Sequence, residues 1–125
     1  YQDWEALDAD AYAPLGVAGG LGRIEEKLSA ISDLARDNDG EVWLLAYPWP
    51  AQLVHESTEL DWPAHLYSVC QQIGCAGVID TFPAFTQHRD INPDWYETLF
   101  LNNDVHYSTA GNALVFSAVL EAVGR

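Results

Sequence analysis

The chain has 125 residues, 49% hydrophobic and 12% aromatic, with 19 acidic against 5 basic side chains and a formal net charge of −14. That is one domain's length with enough apolar material for a core, which argues against intrinsic disorder. A single Lys, Lys27, and four Arg disfavour nucleic acid and anionic membrane surfaces as partners, and no apolar run approaches the roughly 18 residues of a membrane-spanning segment.

Residues 1–20 are Ala- and Gly-rich and read as loop, with a short helical turn near Trp4–Leu7. Leu21, Ile24, Leu28, Ile31 and Ala35 recur at helical spacing and predict a helix over 21–37, ended by Asn38-Asp39-Gly40. The continuous apolar run 41–47 predicts a strand covered on both faces, as in a parallel sheet. Pro48 and Pro50 end it, and a loop follows to Leu60. Asp61 is the expected N-cap of a helix carrying Trp62, Leu66, Val69, Cys70 and Ile73 on one stripe, with Gly74 as its stop. A second strand is expected over 77–82, giving a right-handed parallel crossover. Residues 83–92 read as loop, and Asn92 and Pro93 as the cap and first residue of a short helix to Leu101. Ser108 or Thr109 caps a nearly all-round apolar helix that runs to the end. Two strands are too few for an independent parallel sheet. With no Met anywhere and Tyr1 at the start, the chain reads as a processed or partial product whose sheet edge another segment or chain would cover.

Cys70 and Cys75 lack metal-ligand spacing and are either two buried thiols or one local disulfide, the latter suiting an extracytoplasmic setting. His55, His65, His88 and His106 show no ligand pattern, so no metal site is expected. The acidic balance serves solubility or marks a saline source. The strongest chemical signal is Asp104-Val-His106, just before the final helix. A general-base His needs one fixed tautomer, and a carboxylate on Nδ1–H supplies it. Asp and His two residues apart meet only where the backbone bends. Tyr47, Trp49 and Gln52 lie just past the first strand, where an aromatic ring can stack on a sugar; alternatively Trp49 packs beneath the loop.

Tyr47-Pro48-Trp49-Pro50-Ala51-Gln52 after one strand, Ile79-Asp80-Thr81-Phe82-Pro83 after the next, and Asp104-Val-His106 with Gly111 before the last helix resemble the SGNH hydrolase (GDSL-type esterase) family over about residues 15–125. The resemblance implies a three-layer α/β/α fold with a flavodoxin-like parallel sheet, of which residues 1–125 would be the C-terminal portion of a single domain. It implies His106 as general base and Asp104 as its orienting partner, although the commoner family pattern puts the acid three residues before the His, where this chain has Asn103. The family's nucleophile lies in a Gly-Asp-Ser motif, and neither that motif nor a Gly-x-Asn-Asp occurs here. Ser108 is better placed as a helix cap, and Ser57 is the one loop serine near a strand end. The implied function is part of a serine ester hydrolase or O-acyltransferase acting on small acyl esters or O-acetylated carbohydrate. The competing expectation is a non-catalytic binding or structural module lacking the nucleophile.

Overall fold

The computed structural model describes residues 16–55 and 60–124. The expected turn near Trp4–Leu7 and Ser57 lie outside them. The chain divides into two compact units, residues 1–42 and 43–125. The first holds helix α1, Gly16–Arg36, which begins five residues before the expected start because the small residues Gly16–Gly20 join the helix. It ends in a turn with Asp39 at φ 56°, and the Gly40 amide donates to the Ala35 carbonyl at 2.8 Å.

The second unit holds β1 (Trp43–Ala46), α2 (Pro50–His55), α3 (Trp62–Ile73), β2 (Gly77–Asp80), α4 (Phe82–Ile91), α5 (Trp95–Leu99) and α6 (Thr109–Val123). β1 and β2 pair in parallel, Leu44 opposite Val78 and Ala46 opposite Asp80. The expected three-layer flavodoxin-like sheet is not formed: the described residues make six helices and one two-stranded parallel sheet. The physical reason lies in the apolar patterning. Only the runs around Leu44 and Val78 are continuous and short, whereas most of the other apolar residues lie on helices. Leu44 and Ala46 are buried from β1 and Ile79 from β2. By the two-residue alternation of strands, Leu44 and Ala46 belong to one face and Ile79 to the other. The Trp43 ring lies over Gly77, where a Cβ would fall 2.6 Å from the indole.

Two segments expected as loop are helical. Pro50 opens α2, and Gln52 accepts the Trp49 amide at 2.8 Å, the return half of a capping box. Pro83 sits in the first turn of α4, and Asp80 Oδ1 accepts the Phe82 amide at 3.0 Å. A proline with its preset φ starts a helix as readily as it stops a strand. Asp61 caps α3 by accepting the Ala64 amide at 3.0 Å, and Gly74 ends it at φ 68°. Cys70 and Cys75 form a disulfide across that end. The cap of α5 is Asp94, not Asn92; Asn92 Oδ1 instead accepts the Asp94 amide at 3.0 Å.

One core cluster is Leu53, Phe85, Leu99 and Phe100, with Trp95, Tyr96, Tyr107, Leu114 and Val115 packed against it. Each fully buried Phe contributes about 2–3 kcal/mol. Gly111, in the first turn of α6, is buried so closely that a Cβ would collide with the Leu99 carbonyl and come within 3.1 Å of the Tyr107 side chain. Gly111→Ala is expected to lower unfolding free energy by about 1–3 kcal/mol through this overpacking, read from the midpoint of urea denaturation. Replacing Cys70 and Cys75 together by Ser is expected to cost about 2 kcal/mol on the same measurement.

Candidate functional site

The segment between α5 and α6 is a tight hairpin. Phe100 and Tyr107 form an antiparallel bridge, and the Leu101 amide donates to the His106 carbonyl at 2.9 Å. At its tip the Asp104 amide donates to the Leu101 carbonyl at 3.0 Å, with Asn103 at φ 56°. That left-handed conformation suits Asn, whose short polar side chain tolerates it. The Tyr96 hydroxyl donates to the Asp104 carbonyl at 3.3 Å. Ser108 closes the hairpin: its amide donates to the Leu99 carbonyl at 2.9 Å, its Oγ donates to the Thr98 carbonyl, and it caps α6 by accepting the Ala110 and Gly111 amides at 3.1 and 3.2 Å.

This bend brings the acid and the imidazole together. Asp104 Oδ1 lies 2.7 Å from His106 Nδ1 and accepts the Val105 and His106 amides at 2.6 and 3.3 Å. The His106 side chain and then the Val105 amide hold the Asp104 carboxyl below the usual carboxylate range. An ionised carboxylate only accepts, so Nδ1 carries the proton and Nε2 of the neutral ring is left with its lone pair. The two side chains are 76% and 42% exposed, His106 the more open. So open a contact adds little stability; its value is in orientation.

The pair is tied to the carboxyl end of the parallel strands, where ligands bind in open α/β sheets. The Tyr107 hydroxyl donates to the Pro48 carbonyl at 2.7 Å, and the Tyr107 and Tyr47 rings meet edge-on at 5.9 Å. Burial, with a smaller part from Tyr47, pushes the Tyr107 hydroxyl's pKa up, so it stays a donor. Tyr47 and Trp49 are 48% and 45% exposed. Trp49 therefore does not pack beneath its loop. Gln52 lies beside them in α2, where its side-chain oxygen accepts the Trp49 amide at 2.8 Å.

Sequence reasoning did not single out Tyr96 or Tyr107. The only signal was a Tyr adjacent to His106, and nothing local reveals a bond to a carbonyl 59 residues away. The other histidines stand elsewhere. His55 ends α2, His65 lies half-buried edge-on to Trp62 rather than on a polar face, and His88 Nε2 is met by Asn92 Nδ2 at 3.0 Å. Among the described residues, no three His, Cys, Asp or Glu side chains gather as a metal would require. No described helix is long and apolar enough to cross a membrane. An open cleft of about 390 Å³ beside Trp43, Asp80, Ala118 and Glu121 includes neither member of the pair.

The sign of the Asp104 shift gives a pH test. A folded-state pKa below the unfolded one makes the contribution complete above about pH 4 and lost as pH falls through the lowered value. The amides of residues 101–107 are expected to stay ordered by NMR at neutral pH and to loosen in that acid range, and Asp104→Asn to remove the transition. A hairpin indifferent to both would contradict the role given to Asp104.

The chain matches no protein-family model, no curated protein and no solved structure.

Proposed function

We propose that this chain supplies the His–Asp part of a Ser-His-Asp relay in an acyl-ester hydrolase or O-acyltransferase. The observation that carries the reading is the 2.7 Å contact of His106 Nδ1 with Asp104 Oδ1, with the hairpin tied to the end of β1. Asp104 fixes the tautomer and stabilises the imidazolium. His106 Nε2 takes the proton of an attacking serine and later returns it to the leaving alcohol. The chemistry calls for no metal and no cofactor. Tyr47 and Trp49 offer ring faces for a small acyl ester or an O-acetylated sugar. The serine and the oxyanion donors come from outside these 125 residues, since the chain has no Gly-Asp-Ser motif. The Cys70–Cys75 disulfide favours a periplasmic or secreted setting.

The openness of His106 and the missing nucleophile favour one second reading, a binding or structural module without catalysis. The gene decides between them, because a strand followed by Gly-Asp-Ser upstream of Tyr1 supports the enzyme. A fluorophosphonate probe is expected to label the full-length protein that carries that motif and to leave the 125-residue chain unlabelled. His106→Ala in the full-length protein is expected to lower kcat by about 10⁴-fold or more, because relay members act as a unit. A motif-bearing full-length protein that resists the probe would sink the esterase reading.

A further inference from the structure

Tyr107 stands between the two halves of the proposed site. It follows His106 directly in the chain, and its hydroxyl reaches Pro48, the residue between Tyr47 and Trp49. Pro48 is fully buried, so water does not substitute readily for the hydroxyl at its carbonyl. The Tyr107 ring is wedged among Phe85 at 5.0 Å, Phe100 at 5.1 Å and Tyr47 at 5.9 Å. The Asp104–His106 contact is local to its own hairpin. Where that hairpin stands relative to the aromatic segment is a separate matter, decided by Tyr107.

We infer that Tyr107 is the positioning residue of this site: its hydroxyl, donating to the Pro48 carbonyl, ties the Tyr47–Trp49 ledge to the hairpin that carries His106, so that a ligand on the ledge and the imidazole hold one fixed relation. The inference rests on the relay reading above for its catalytic meaning, but the coupling itself is measurable without any ester. Tyr107 makes no contact with the reacting atoms; it acts through His106 and Pro48.

The test follows the ring resonances of Tyr47 and Trp49 by NMR in the 125-residue chain while the pH is carried across about 5–8, the range in which imidazoles change charge. In the unmodified chain both rings are expected to shift with His106, and His106→Gln to abolish the shift. Tyr107→Phe keeps the ring and removes the donor. It is expected to retain the Asp104–His106 contact while the Trp49 response falls to baseline. Replacing Tyr107 by p-aminophenylalanine, which keeps an N–H donor at that point, is expected to restore the response. If Y107F unfolds by circular dichroism, the p-aminophenylalanine form carries the test alone, and a folded protein without the response overturns the coupling. A Trp49 response unchanged in folded Y107F, or absent from the unmodified chain, overturns it as well. Failure of the fluorophosphonate experiment leaves these outcomes untouched, so the two readings fall separately.

Discussion

Phe100 and Tyr107 face each other across the neck of the hairpin, and both rings rest on Phe85. Most of what the second unit positions depends on this aromatic contact. Phe85 brings α4 to it, Phe100 brings the end of α5, and Tyr107 brings the start of α6. Aromatic pairs with centroids 4.5–7 Å apart add about 0.5–1.5 kcal/mol each beyond area burial. With Leu53 from α2 in the same cluster, short helices that would melt alone become one packed body. The hairpin projects from that body with its base fixed and its tip in solvent.

That arrangement separates two requirements. The tip holds the carboxylate and the imidazole through backbone amides and one side-chain contact, all within residues 101–106. The base decides where the tip stands. A pair so exposed contributes little to folding, so the fold carries it at small energetic consequence. Its directionality survives because Oδ1 receives three donors and cannot rotate away without losing all of them.

Several features were legible in the sequence because they are local. The Asp61 cap, the Gly74 stop, the Ser108 cap and the Asp104–His106 contact each need only a few neighbouring residues. The helices α2 and α4 are not legible, because Pro50 and Pro83 each follow an apolar run and suit the end of a strand as well as the start of a helix. Gln52 sits three residues after Trp49, which is the capping-box position, so its bond to the Trp49 amide follows from spacing only once α2 is known to be a helix. The wide parallel sheet came from likeness to a family rather than from these residues, and they form two strands only. Tyr107 was hidden because its partner is distant in the chain, and Trp49 was ambiguous because exposure depends on what packs around a loop.

The disulfide between Cys70 and Cys75 spans a joint that the backbone has already closed: the Gly74 and Cys75 amides both donate to the Cys70 carbonyl. Helix ends are where melting starts. A sulfur link laid over the cap arrests fraying there. A thermal excursion that opens the last turn of α3 meets a covalent stop before it can run on into Gly77 and unseat the strand lying under Trp43.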